Sequence, residues 1–403
     1  MQVIDVTKKM SSGDLLLALM WSCLIAITPL EHVPALRLFL LGCLSLILCV
    51  RDYEGMRDAY ANAWPLVLWF FFCVISWFWS IRPQSTAYNL RYDLFPGLLS
   101  FGVFYCMQKR QCARMAFRSG MMFCAILNAF SGFFGFFLGW QRVVYYYSGV
   151  GFSSTVAIIG AAYSVSILSV NQRSWYGVML LLFSLFAGLI SANRMFFVSF
   201  FLVVCLCFFF SAKRRSPAFN YDWKGGFFLS LVIAVVAFIF LLSGGVDKFH
   251  RLFFLGDSRP EIWAAWLGFA KKYPILGIGY GRNVGQYTFG AEYRDLLIGI
   301  DPLAVMHSHN IFINSFLETG LVGFVLFVFF WLFFARRFLK EWRCWNFSGL
   351  AGIVVIFGFL VKNQTDIFFV KSTMMMVMGV LGYFFASNNP KDVNHNFLVS
   401  DDC

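Results

Sequence analysis

Long apolar runs alternate with short polar breaks along almost the whole chain. They predict twelve helices, at roughly 14–30, 33–50, 64–80, 93–108, 117–139, 151–170, 175–191, 194–211, 227–243, 311–335, 347–361 and 367–386. Most approach the ~20 residues needed to cross the hydrocarbon of a bilayer. The strict alternation of a barrel strand is missing, and lipid forces backbone polar groups to be satisfied internally, so helices are the expected form. One stretch breaks the pattern: residues 244–310 read neither as a span nor as a short connection. The expected fold is an all-α, polytopic membrane protein with nine spans over 1–243, a large loop over 244–310, three spans over 311–386 and a polar tail at 387–403.

Within the loop, Asp257-Ser258 ahead of Pro260 and Glu261 predicts a helix start. Ile262, Trp263, Trp266, Leu267 and Ala270 give that helix an apolar stripe, and Pro274 ends it. The helix is expected to lie along the membrane or the bundle, with its tryptophans at headgroup depth. The glycine-rich Leu276-Gly277-Ile278-Gly279-Tyr280-Gly281 lacks the register and the preceding strand of a dinucleotide fingerprint. It predicts a tight turn that permits close backbone approach. Asn310 stands where it can cap the tenth span.

Composition narrows the class. Of 403 residues, 60% are apolar and only 13% are charged, against about 25% in a soluble domain. Soluble multidomain readings are excluded. The net charge of +12 is not a nucleic-acid footprint, because the cations are dispersed among short loops. They are also unevenly distributed. One set of loops holds Lys8, Lys9, Arg51, Arg57, Lys109, Arg110, Arg114, Arg118, Arg173, Lys213, Arg214, Arg215, Lys224, Arg336, Arg337, Lys340 and Arg343. The other holds only Arg37, Arg82, Arg91, Arg142, Arg194, Lys362 and Lys371. The positive-inside rule assigns the first set and both termini to the cytoplasm, so the large loop faces outward. Eleven cysteines lie mostly in apolar runs and none falls between residues 246 and 334, so no disulfide framework is indicated. The apolar run after Lys8 and Lys9 has no small-residue cleavage site and reads as a retained first span.

The outward face supplies the candidate chemistry. Arg194 opens the eighth span, where a cation opposes the helix dipole unless an anion joins it; the plain alternative is an arginine reaching the headgroups. Arg259 sits in the first turn of the loop helix. Two arginines can grip a diphosphate through forked hydrogen bonds, although Arg259 can equally pair with Asp257 or Glu261. His307 and His309 flank Ser308. A histidine can accept a proton from a sugar hydroxyl, or it can simply order the loop. No acidic partner set accompanies the two, so no metal is expected. Arg82, Arg91, Lys362 and Lys371 either line the same basic cavity or meet headgroups. Glu318, inside the tenth span, is expected to hydrogen-bond within the bundle, with a general-base role as the alternative.

These motifs together resemble a known family. Ser-Arg-x-x-Ile-Trp, then Tyr-Pro-Ile-Leu-Gly-Ile-Gly, then His-Ser-His-Asn with Phe-x-Glu-x-Gly-Leu-x-Gly downstream is similar to the O-antigen ligase and polymerase superfamily. The span count and the loop between the ninth and tenth spans fit the ligase branch, with a GT-C-like glycosyltransferase architecture. The resemblance implies transfer of polysaccharide from an undecaprenyl diphosphate donor to a hydroxyl of the lipid A–core. That reaction occurs at the periplasmic face of a Gram-negative inner membrane, among membrane lipids, and uses no cofactor, metal or nucleic acid. It implies His309 as the catalytic residue and Arg194 and Arg259 as the diphosphate ligands. His307, Arg82, Arg91, Lys362 and Glu318 are possible supports. Attack opposite the leaving group implies inversion. An O-antigen polymerase or protein O-oligosaccharyltransferase is the alternative within the superfamily. A transporter or flippase is the alternative outside it, although broken spans at matching positions of two halves are not evident.

Overall fold

Polar caps start the apolar helices. Ser11, Asp52, Ser174, Asn310 and Asn346 each accept a backbone N–H from the first turn of the helix that follows, which satisfies donors that have no partner inside the helix. The computed structural model describes residues 11–30, 32–110, 112–138, 150–171, 173–191, 193–212, 258–344, 346–365 and 367–386. The expected ninth span at 227–243, the first part of the loop at 244–257 with Asp257, the tail at 387–403, and Lys8, Lys9 and Arg142 lie outside the described residues.

Eleven of the twelve expected segments coincide with helices. Among the described residues, four helices are long and apolar enough to cross a membrane, and a fifth span is formed if the bent pair Tyr53–Asn62 and Trp64–Trp79 counts as one. Ser12–Ala26, Trp175–Ile190, Phe347–Lys362 and Lys371–Ala386 are shorter apolar helices. The chain is a multi-pass, all-α membrane protein. The 85° bend was not visible in the hydropathy, because Tyr53–Asn62 is polar and owes its helix to the Asp52 cap rather than to an apolar run.

At the centre lies Lys371–Ala386, buried from Ser372 onward. Its main neighbour is Phe95–Gln108. Small residues bring the two together: a Cβ on Gly382 would lie 2.3 Å from the Phe101 carbonyl oxygen. Lipid offers little hydrophobic drive between helices, so such close packing supplies the attraction. Aromatic rings fill the remaining space. Phe117 stacks on Tyr383 at 3.9 Å, and Trp21 meets Phe104 edge-on at 5.2 Å.

The insert 258–310 has a small core of its own, with Ile262, Trp266, Phe269, Val284, Phe289 and Leu297 buried together. Trp266 therefore departs from the headgroup placement. It is 1% exposed, and its indole N–H donates to the Ala304 carbonyl at 2.9 Å. Ser258 is also not a side-chain cap; its hydroxyl donates to Asp301 at 2.9 Å.

Candidate functional site

The glycine-rich segment 274–279 and the long helix Ile311–Arg343 explain one another. That helix is broken at Gly320, whose φ is 63°. A break inside a membrane helix frees carbonyls before it and N–H groups after it, and these need partners. Residues 274–279 provide them. Ile278 and Gly279 N–H donate to the Leu317 and Glu318 carbonyls at 3.1 and 3.0 Å, and Leu321 and Val322 N–H donate to Pro274 and Ile275 at 2.8 and 3.2 Å. Gly277, at φ 72°, has no room for a side chain: a Cβ would lie 2.5 Å from the Glu318 carbonyl carbon. The same segment is held from its other side. Ile81 N–H donates to Ile278, Tyr280 N–H to the Ser76 hydroxyl, and the Trp79 indole to Leu276, at 3.0, 2.9 and 3.0 Å. The sequence predicted close backbone approach here, and a broken helix is what the backbone approaches. One span, Ile311–Arg343, is thus interrupted, and among the described residues a single such break is not the paired pattern of matching positions in two halves.

The His-Ser-His-Asn turn enters this broken helix. Asn310 caps it through Phe312 and Ile313 N–H at 2.9 and 3.2 Å. Its amide donates to the Gln364 carbonyl at 3.1 Å, and Ile311 N–H donates to Asn363 at 3.1 Å. The turn is thus fastened to the loop after Phe347–Lys362. His309 adopts φ 52°, a left-handed conformation that non-glycine residues seldom take and that costs ~1–3 kcal/mol. His307 helps to hold it there: the His309 N–H donates to His307 Nδ1 at 3.2 Å, and the two rings lie 4.1 Å apart. His307 is buried and His309 half-buried.

The other candidates fall at this same end of the bundle. Arg259, half-buried, opens the helix Arg259–Ala270. Its neighbour Ser258 is tied to Asp301, six residues before His307. Arg194 opens Arg194–Ala212 and is half-buried. Phe210 meets Trp342 at 5.8 Å, while a Cβ on Gly358 would meet Val203 at 2.9 Å. Arg194–Ala212 and Phe347–Lys362 are therefore antiparallel, and Arg194 shares an end with Asn363 and Gln364. No direct contact joins Arg194 to Arg259 or His309 among the described hydrogen bonds and ion pairs. Arg82 donates to the Thr288 hydroxyl at 3.1 Å and so bridges the bundle to the insert. Arg91, exposed, lies over the Tyr92 ring at 5.2 Å. Lys362 does not meet headgroups; it is 0% exposed, with its ammonium 5.2 Å from the Phe368 ring. Glu318 is buried and accepts a hydrogen bond from Asn314, as expected of an acid inside the bundle.

The sequence reading passed over Asp93, Arg282 and Asn314, which gather around Glu318 in one cavity at the helix break. An acid at the edge of an apolar run is costly to bury and for that reason marks a site; Asp93 carried that signal. It sits in a π-helical turn, Leu90–Leu94, a deformation often found where function requires it. Its carboxylate accepts the Lys371 N–H at 2.9 Å, and Lys371 is the other left-handed non-glycine residue among those described. Tyr280, outside the spans, has its phenol pushed well above the usual range by burial. Among the described residues no three His, Cys, Asp or Glu side chains converge to hold a metal.

A multi-pass helical bundle with its left-handed residues His309 and Lys371, and the buried acids Asp93 and Glu318, near one broken helix defines a membrane protein with a candidate site at that break. Residues 179–328 match the family described as O-antigen ligase, so that part of the chain is similar to the O-antigen ligase and polymerase superfamily. A stretch of 99 residues is 34% identical to the exopolysaccharide production protein ExoQ of Rhizobium meliloti (strain 1021), covering 23% of this chain and 22% of that protein. The matched family segment includes Arg194, Arg259, His307, His309 and Glu318, while Arg82, Arg91 and Lys362 lie outside it.

Proposed function

We propose that the protein is an O-antigen ligase. It moves polysaccharide from undecaprenyl diphosphate to a sugar hydroxyl of the lipid A–core, at the periplasmic face of a Gram-negative inner membrane. The observation that carries this reading is His309, held in a left-handed turn at the mouth of a broken membrane helix, beside an insert helix that opens with Arg259. A strained, half-buried histidine is maintained only where the surroundings over-determine it. The excess of cations at the opposite end of the bundle supports a cytoplasmic assignment for that end.

In the reaction, His309 takes the proton of the acceptor hydroxyl as its oxygen attacks the anomeric carbon. The bond from that carbon to the diphosphate oxygen breaks, and undecaprenyl diphosphate leaves with the electron pair. Arg194 and Arg259 bind the diphosphate and stabilise the charge it gains. Attack opposite the leaving group inverts the anomeric centre. No nucleotide or metal enters these steps.

Purified protein supplied with both lipid substrates is expected to form the glycosidic bond. Arg259→Ala is expected to weaken transfer by about 100-fold, and His309→Ala to abolish it; full transfer by His309→Ala would refute the assignment. A second reading is favoured by the relative, which is named for exopolysaccharide production: the same chemistry could lengthen a glycan on its lipid carrier. The product decides, as capped lipid A–core or as longer lipid-linked polymer.

A further inference from the structure

The cavity at the helix break has a chemistry of its own. Trp69, Asp93, Arg282, Asn314, Ser315 and Glu318 contribute to its wall. Asp93 is 3% and Glu318 6% exposed, and buried carboxylates are costly unless they are compensated. Here they are partly compensated. The Lys371 N–H donates to Asp93, Asn314 and the Gly281 N–H serve Glu318, and the Arg282 charge acts on both.

Two groups in the same wall remain unmet. Among the described residues the Trp69 indole N–H has no partner, and neither does the Ser315 hydroxyl; the residues are 2% and 8% exposed. An indole N–H can only donate, whereas a carboxylate can only accept. A group that satisfies this wall must therefore accept and donate at once. A phosphate would be repelled by the two acids. An alkyl group would leave the indole orphaned, and a metal cation would face Arg282 and could not accept from Trp69. A hydroxyl meets every requirement, whether of an alcohol or of a water; the neighbouring rings of Trp69 and Tyr280, 6.1 Å apart and nearly perpendicular, suit the carbon that an alcohol carries and a water lacks.

We propose that this cavity recognises one hydroxyl or hydroxymethyl group of the acceptor glycan, apart from the diphosphate subsite. The proposal rests on the glycosyl-transfer reading above. Its wall begins at Ile311 and includes Asn314, which lies ~8 Å along the helix from His309 at 1.5 Å per residue. An acceptor sugar with one hydroxyl at His309 can place another group here, so the cavity sets which hydroxyl is presented for attack.

The test uses the full chain in nanodiscs, with deacylated core oligosaccharide and its single-deoxy derivatives as acceptors. Trp69→Phe keeps the ring and removes the donor; Ser315→Ala removes the hydroxyl. Each is expected to raise the acceptor KM about 3- to 10-fold, as the loss of one neutral hydrogen bond implies, with kcat little changed. The Trp69→Phe penalty is expected to vanish for the one deoxy acceptor that lacks the recognised group. Equal penalties for every deoxy acceptor, or a loss confined to kcat, would overturn the proposal and leave a structural water as the occupant. Should Trp69→Phe fail to fold, Ser315→Ala across the same series decides.

A second arm needs no transfer. Hydrogen exchange at 311–319 is expected to slow in wild type when the oligosaccharide is added without donor, and not in Trp69→Phe. Slowed exchange without any transfer would sink the ligase reading and keep the cavity. Transfer without slowed exchange or deoxy dependence would do the reverse.

Discussion

His309 combines two demands that can be separated by substitution. Its left-handed backbone is a conformational cost, and its imidazole is the proposed base. Asparagine tolerates the same backbone region but cannot take the proton. His309→Asn is therefore expected to keep its Tm within a few degrees while transfer falls by about 100-fold or more. His307→Ala removes the acceptor for the His309 N–H and should cost only about 3- to 10-fold. Were His307→Ala the more damaging of the two in the same assay, the roles would be reversed. The cap at Asn310 was legible in the sequence because it is a local pattern, whereas the left-handed backbone of His309 before it was not. Asp93 and Arg282 were not, because they sit 189 positions apart and share no motif; only the folded chain brings them to Glu318. Lys362 looked like a headgroup cation from its place at a helix end, and packing around that end buried it.

At the scale of elements, the broken helix and the glycine-rich segment form one unit. Gly277→Ala and Gly320→Ala each force a Cβ into backbone, with contacts of 2.5 and 2.3 Å, at positive φ. Each is expected to destabilise by at least ~3 kcal/mol, seen as a lower Tm or the loss of monodisperse protein. Gly42→Ala is the control, because nothing lies within 4 Å of its added Cβ. It should be neutral or stabilise by up to ~1 kcal/mol. The spacing of the glycines was visible beforehand, but their partner was not, since a break in an apolar run leaves hydropathy unchanged. The same limit hid the buried role of Trp266, whose apolar stripe serves a lipid surface or a small core equally well.

For the whole molecule, hydropathy located the helices well because lipid leaves the backbone few alternatives. Length and composition still mark only four to five of them as full spans, and the rest gain their place from packing. Orientation is testable directly. In a single-cysteine background, Cys344 at the basic end is expected to react with an impermeant maleimide only after permeabilisation, and a cysteine replacing the exposed Tyr287 to react in intact cells. The opposite pattern would move the site to the cytoplasm.

The backbone ladder between 274–279 and 317–322 also constrains how the protein is made. Its first half leaves the ribosome some forty residues ahead of its second, so the glycine-rich segment cannot settle fully until the following helix has entered the bilayer. During synthesis those glycines have only their earlier partners, Ser76, Trp79 and Ile81, to hold them. Chains stopped before the ladder closes should be recognised by quality control as unfinished, although most of their hydrophobic segments are already inserted.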